Sequence, residues 1–439
     1  MGSAGKLRMK AREIKIAMNQ GLAKVAPLTH LVPERPRRAV RDWLIKMTTP
    51  KTSRGYRPPA QDGRIRTPMG INEYGMLRAD NGLAQGAKLY AKALRTSGVP
   101  FALVNMHFLD FLPEVDHRLD GQISKMGKYA INVIHVNACQ IEEACHYFPH
   151  RLFDNHYNIG VWLWELEKLP KEWVAKLNYV DEIWAPSRFI ADAVRRETDK
   201  PVTVIPYGIE TPVEEGGRAL FELEESEFLV LAMYDSNSYA SRKNPDGAVE
   251  AFVKAFGGRN ENARLVLKAG NGKPEELEAL EKRMKESGIR YRLITERLSK
   301  PRLNALIACC DVFISMHRSE GFGLVIAEAM NLGVPVVATG WSANAEFMPE
   351  SCTCRTGYTM VPVGDVYQFA EEAQRWAEPD TEEAAESLRM LKENPRRAAE
   401  MAEEARRYIQ EYYSVEACGR KMAERYAEIQ EELKAKGLL

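Results

Sequence analysis

No run of about 18 uncharged apolar residues occurs in the 439-residue chain, so no membrane-spanning helix is predicted. The charged N-terminus lacks the apolar segment of a secretory signal. Cysteine is scarce. The seven cysteines show no paired metal-ligand spacing, which predicts reduced thiols in a cytosolic protein rather than disulfides or a zinc site. Formal net charge is zero, which leaves no global attraction to nucleic acid. Three nucleotide signatures are also missing. Gly-x-Gly-x-x-Gly follows the first strand of neither half, Gly-x-x-x-x-Gly-Lys-Ser/Thr is absent, and no Asp-x-Asp occurs. NAD binding, P-loop hydrolysis and a carboxylate-held metal on a diphosphate therefore lack their motifs. No metal and no cofactor is predicted, and a bound diphosphate would have to be met by protein cations and helix N-termini.

Charge is present but unevenly placed. Residues 1–66 hold sixteen Lys/Arg against four Asp/Glu, a local net of +12, whereas 378–411 is rich in glutamate. Leu7, Ile14, Met18 and Leu22 fall at helical spacing in the basic arm, and Trp43, Leu44 and Ile45 lie between Arg41 and Lys46. A basic, partly amphipathic arm suits an anionic membrane face. The expected location is cytoplasmic and peripheral on the inner face of the membrane. No folded nucleic-acid motif accompanies the charge, so nucleic acid is not an expected partner.

From residue 67 short apolar strands alternate with helices of about 10–15 residues, the signature of a doubly wound α/β domain. Strands are predicted at 71–73, 100–105, 131–137, 158–164, 182–186 and 202–206. Between the first two, Leu83, Ala87, Tyr90, Ala91 and Leu94 recur at a 3.6 period and predict a helix over 83–96. Asn81–Gly82 opens it, either as a phosphate-facing loop or as an ordinary Asn-Gly turn. The turn-rich YGIETPVEEGG reads as a linker, and the pattern then restarts with strands at 228–235, 263–270, 290–295, DVFISM, PVVATG and YTMVPV. Beyond about 365 the chain reads as all helix, ending in a long helix over 414–433. The predicted organisation is a basic extension over 1–66, a first domain over 67–212, a second over 213–410 and a terminal helix over 411–439. Two Rossmann-like domains in tandem place a ligand site in the cleft between them.

The stretch 310–348, CDVFISMHRSEGFGLVIAEAMNLGVPVVATGWSANAEFM, is the centre of the pattern. Strand, glycine loop, helix and strand follow one another in a βαβ unit, with HRSEGFG at the carboxyl end of a strand. Glu320 and Glu328 frame the loop. Gly321 and Gly323 let it fold back and let the backbone approach a ligand. The free N–H groups at the helix start suit a phosphate, which leaves the two carboxylates for neutral hydroxyls. Arg242 and Lys243 immediately precede a helix capped by Asn244, where a lysine can meet an anion as a point charge.

HRSEGFGLVIAEAM with the following G-x-P-V-x-A-T, together with YDSNSYASRKNPDGAVEAF, resembles the retaining GT-B glycosyltransferases of the large fourth family, also called group 1. The resemblance covers about residues 68–439, and GVWLWELEKLP and EIWAPSRF resemble one branch of that family. It implies two Rossmann-like domains facing a cleft, with the last helix crossing back onto the first. It implies transfer of a sugar from a UDP- or GDP-sugar to a glycan or lipid-linked acceptor, without metal, in cell-surface polysaccharide or glycoconjugate assembly. Carried over by position, Glu320 and the Gly321–Phe322–Gly323 backbone would hold the donor sugar. Glu328 would bind the ribose, while Lys243 and Arg242 would neutralise the diphosphate. Leu324 and Val325 would supply phosphate-facing amides, Asn81–Gly82 would approach from across the cleft, and the RLITERL loop containing Ile294 would read the base. Many relatives carry a histidine on a first-domain strand end near the sugar. Here that strand carries Trp164 and Glu165, and His135 lies on the preceding strand, which leaves the role open among them. A GT-B epimerase, a phosphorylase and a non-catalytic membrane-bound scaffold are the alternative readings.

Overall fold

Two parallel six-stranded sheets carry the chain. The structure is a computed structural model that describes residues 57–107, 114–257, 262–367 and 374–439. The expected membrane arm over 1–66 therefore falls almost wholly outside the described residues. Its last part, 58–66, lies on the folded body: Ile65 is buried, and its amide donates to the Leu438 carbonyl at 2.8 Å.

The first sheet comprises β1 (Ile71–Gly75), β2 (Phe101–Asn105), β3 (Ile131–His135), β4 (Tyr157–Val161), β5 (Glu182–Ala185) and β6 (Val202–Val204) in the order β2-β1-β3-β4-β5-β6. The second comprises β7 (Phe228–Asp235), β8 (Ala263–Gly270), β9 (Tyr291–Ile294), β10 (Val312–Ser315), β11 (Val336–Thr339) and β12 (Cys354–Thr356) in the order β12-β11-β10-β7-β8-β9. Every pairing in both sheets is parallel. The strand order of the second sheet reverses between β7 and β10. Crevices at such switch points, beyond the carboxyl ends of the strands, are where open α/β sheets bind ligands.

The helix starts follow local chemistry. Asn81 accepts the Ala84 amide at 2.8 Å and caps the helix Gly82–Thr96, while Ser187 accepts the Ile190 amide and caps Arg188–Arg195. Asn244 sits in the left-handed region (φ 50°, ψ 56°), ends the short helix Ala240–Lys243 and caps Pro245–Phe256. Asparagine tolerates that conformation, and Pro245 takes the first helical turn, where no N–H is needed.

Two expectations in the second domain need correction. YTMVPV is not a strand of the main sheet. It forms β13 (Tyr358–Pro362), which pairs antiparallel with β14 (Arg375–Pro379) in a separate hairpin. The sixth strand of the sheet is instead Cys354–Thr356, three residues with too little periodicity to read. The region beyond 365 is accordingly not all helix, since β14 precedes the helices Thr381–Glu393, Pro395–Tyr412 and Val415–Ala435.

The last helix crosses onto the first domain, as expected. Ala417, Cys418, Met422, Ile429 and Leu433 form its buried stripe. That stripe joins a core that runs without interruption from β3 and β4, through Tyr207, Ile209 and Phe322, to the second sheet. Among the described residues no helix is long and apolar enough to cross a membrane.

Candidate active site

The loop between β10 and the helix Leu324–Asn331 emerges at the switch point. Gly323 caps that helix with φ +92°, which a side chain would resist, and a Cβ there would also press on Asn344 at 3.1 Å. At the other end, His317 is fully buried. Its Nε2 lies 2.9 Å from Asn344 Oδ1 and its Nδ1 3.0 Å from the Ser315 hydroxyl. The Asn344 amide is itself fixed by donation to the Thr339 carbonyl, so its oxygen accepts, Nε2 carries the hydrogen and Nδ1 accepts from Ser315. Burial holds the imidazole neutral, with its pKa pushed down to about 4. The loop after β11 completes the frame: Ser342 Oγ accepts the Glu320 amide at 2.8 Å. Ser342 takes φ 72°, a conformation uncommon for a residue with a side chain, immediately beside the site.

So held, Glu320 turns its carboxylate toward the residues that follow β7. Its Oε1 lies 2.5 Å from Lys243 Nζ and 3.5 Å from Arg242 Nη1. Burial alone would raise the carboxyl pKa, but Lys243 and then Arg242 outweigh it and hold the group at about 2. Arg242 is 4% exposed. It donates to the Ser319 carbonyl at 2.7 Å and lies 3.8 Å from Glu165 Oε1 on the first domain. The two neighbouring cations thus differ: Lys243 is partly open, whereas Arg242 is enclosed between two carboxylates.

Glu328 is the fifth residue of its helix and is buried. One oxygen meets Lys300 Nζ at 2.6 Å, and the other, Oε2, has no hydrogen-bond partner. The two glutamates of the motif therefore serve different neighbours, Glu320 the residues after β7 and Glu328 the helix Lys300–Ala308. Phe322 sends its ring into the core, 5.1 Å from Tyr207 and 5.3 Å from Phe347, so any ligand contact falls to its backbone. Leu324 and Val325 begin the helix and are half-buried.

The first domain closes directly on this loop. Ser187 Oγ donates to the Gly321 carbonyl at 2.8 Å, and Ser319 Oγ donates to the Glu165 carbonyl. A Cβ on Gly321 would stand 3.1 Å from the Trp164 carbonyl. Gly321 thus admits the first-domain backbone. Trp164 is buried against Trp173 and donates its indole N–H to Lys168 O. His135 turns its ring to Glu73 and Tyr207 rather than to Glu320. It is fully buried, with Nδ1 3.2 Å from Glu73 Oε1 and Nε2 3.3 Å from the Tyr207 hydroxyl. Asn81 is occupied as a helix cap, whereas Gly82 is exposed with open space above it. The RLITERL loop does reach that region, through the Arg297–Asp80 ion pair across the domains. Ile294 ends β9 with its side chain buried in the core.

Tyr367 was missed from the sequence. It follows β13 and donates its phenol to Glu165 Oε2. Ser187 and Asn344 were also missed as site residues. Each is a common polar residue whose role depends on a partner far along the chain, and no local spacing announces it.

Two sheets of this order, joined by a returning terminal helix around a switch-point site, define a GT-B fold. Residues 231–378 match the family model described as glycosyl transferases group 1. Among solved structures, Anabaena HepE in complex with UDP and glucose is 15% identical, with a TM-score of 0.59 over 82% of this chain and 100% of that one. Sucrose-phosphate synthase from Thermosynechococcus elongatus is 15% identical, with a TM-score of 0.60 over 86% of this chain and 100% of that one. A glycosyltransferase from Rickettsia africae is 14% identical, with a TM-score of 0.61 over 83% and 99%. Likeness at such identity carries the fold alone. The sulfoquinovosyl transferase SQD2 of Arabidopsis thaliana is 38% identical over 74 residues, 17% of this chain and only 14% of that protein's length.

Proposed function

We propose that the chain is a retaining glycosyltransferase. It moves a sugar from a UDP- or GDP-sugar to a hydroxyl of a glycan or lipid-linked acceptor in cell-surface polysaccharide or glycoconjugate assembly. The observation that carries this reading is the Glu320 carboxylate held against Lys243 at the reversal between β7 and β10. An anion-binding cation, a hydroxyl-binding carboxylate and a helix N-terminus meet there, which is what a sugar joined to a diphosphate requires. The group 1 match over the same residues supports it.

In the proposed reaction the bond from the anomeric carbon to the diphosphate breaks, and the acceptor oxygen bonds to that carbon on the same face. Charge developing on the leaving diphosphate is met by Lys243 and by the amides of Leu324 and Val325, so no metal is required. A leaving phosphate oxygen takes the acceptor's proton. Glu328, with one oxygen unpartnered, is suited to ribose hydroxyls. The proposed setting is the cytoplasm, with the basic arm on the inner membrane face.

A thermal-shift screen with UDP-, GDP- and ADP-sugars tests the reading, because a ligand that binds only the folded state raises Tm. One donor series is expected to raise it, and nucleoside diphosphate release is expected only with an acceptor, in excess EDTA. No shift with any donor would sink the proposal.

A further inference from the structure

Glu165 is the first-domain carboxylate that the fold brings to the donor loop. Its backbone carbonyl takes the Ser319 hydroxyl, and its Oε1 faces Arg242, which in turn faces Glu320. The remaining oxygen is held by Tyr367. That ring is buried among Trp164, Tyr239 and Trp376, with centroids 5.7, 4.8 and 6.2 Å away, so its hydroxyl has a fixed direction. Burial raises the phenol pKa and keeps it a proton donor to the carboxylate. The anchor lies on the second domain. Arg318, inside the donor loop, clamps Glu378 of the hairpin at 2.6 and 2.9 Å and lies over the Trp376 ring. Glu165 therefore reaches its position only where both domains meet.

The charges decide what this subsite accepts. Glu165 and Glu320 stand on either side of Arg242, whose guanidinium is already engaged by the Ser319 carbonyl. On the transferase reading, on which this inference rests, a donor diphosphate draws Lys243 toward itself. What then faces the sugar is two carboxylates and one committed guanidinium. Sugar hydroxyls donate well to carboxylates. A carboxylate on the sugar would be a third anion beside a guanidinium that Glu165, Glu320 and the Ser319 carbonyl already share.

We propose that Glu165 is a recognition carboxylate for the donor sugar, positioned by Tyr367, and that Glu165 and Glu320 together restrict the enzyme to uncharged sugars and exclude uronic acids. The experiment is calorimetric titration of the full chain with UDP, UDP-glucose and UDP-glucuronate, or with GDP, GDP-mannose and GDP-mannuronate if GDP is the nucleotide bound. It is repeated on Glu165→Gln and on Tyr367→Phe, which removes one hydroxyl and keeps the ring packing. The wild type is expected to prefer the neutral sugar by at least about 100-fold, since like-charge juxtaposition costs several kcal/mol. Glu165→Gln, which removes the charge, is expected to lose most of that preference, and Tyr367→Phe, which only frees the carboxylate to move, a smaller part of it, while both bind the bare nucleotide as before, a combination that general loosening of the fold would not produce. Nucleotide binding with no preference in the wild type, or a preference unchanged in both variants, would overturn the inference alone. Failure of every nucleoside diphosphate to bind would overturn the transferase reading and this inference with it.

Discussion

Arg425, on the terminal helix, holds both carboxylate oxygens of Glu182, at the start of β5, at 2.9 Å each. Glu182 is fully buried, and it also accepts from Tyr157, Trp184 and Thr203. Arg425 turns its remaining nitrogen to Glu428 and Glu432 on its own helix. All three nitrogens of Arg425 and both oxygens of Glu182 are thus engaged, the condition under which a buried ion pair is tolerated. The apolar stripe brings the helix to the first domain, and this pair sets its register there.

Removing one partner of that pair strands the other. Arg425→Ala is expected to cost about 3–5 kcal/mol, because Glu182 is left charged and buried. The double variant Glu182→Gln/Arg425→Met is expected to recover most of the loss, since neither charge then needs a partner. Chemical denaturation of the three proteins measures both numbers. A single-variant cost below about 1 kcal/mol, or a double no better than Arg425→Ala, would contradict the assignment.

Gly419 and Gly82 predict opposite outcomes for the same methyl group. A Cβ on Gly419 would stand 2.7 Å from the Ala93 carbonyl, where the terminal helix crosses Gly82–Thr96. Gly419→Ala is therefore expected to destabilise by about 1–3 kcal/mol. A Cβ on Gly82 meets nothing within 4 Å. Gly82→Ala is expected to leave Tm unchanged or raise stability by about 0.4–1 kcal/mol, through the unfolded chain. If donor phosphate lies over that helix start, the same variant raises the donor KM. An unchanged KM would remove Gly82 from the donor site.

The buried Glu73–His135 pair makes stability depend on pH from both sides. Burial raises the Glu73 pKa well above its ordinary 4.5, so the folded chain keeps the proton there to higher pH than the unfolded chain does. That stabilising contribution is full below pH 4.5 and fades as pH rises toward the folded value. Burial lowers His135 from 6.5 to about 3, so its contribution is full above pH 6.5 and fades as pH falls toward 3. Glu73→Gln should therefore raise Tm more at pH 8 than at pH 5. An equal shift at both would mean that Glu73 is ionised in the fold.

Much of this was legible because the signals are local. Phe228–Asp235 and Ala263–Gly270 were bounded to the residue, since each is a long apolar run that ends in turn chemistry. Glu320, Lys243 and the Asn244 cap lie in compact strings whose spacing carries their chemistry. Tyr367 was invisible because its partner is 202 residues away. The hairpin is not legible because YTMVPV is a short, mostly apolar run like that of any strand, and nothing local says which strand it pairs with. His135 and Glu165 stood level in the sequence, and only the packing of Tyr207 on one and Arg242 on the other separates them.

Lys243 and Glu320 should be linked in their titration as well as in turnover. Lys243→Ala is expected to lower kcat by about 10²–10³, the usual cost of removing one preorganised electrostatic contact. In the wild type Glu320 stays ionised down to about pH 2, and His317 stays neutral above about pH 4. Neither group changes state between pH 5 and 8, so kcat/KM should show no limb from them in that range. Without Lys243 the burial of Glu320 loses its main opposition, its pKa rises, and protonation at higher pH removes the carboxylate proposed to bind the sugar. The residual activity of Lys243→Ala should therefore show an acid limb displaced upward from that of the wild type. Glu320→Gln, which cannot titrate, should show no such limb at any residual rate. A pH–rate profile of the same shape in all three proteins would dissociate the two residues and leave the ion pair without a catalytic meaning.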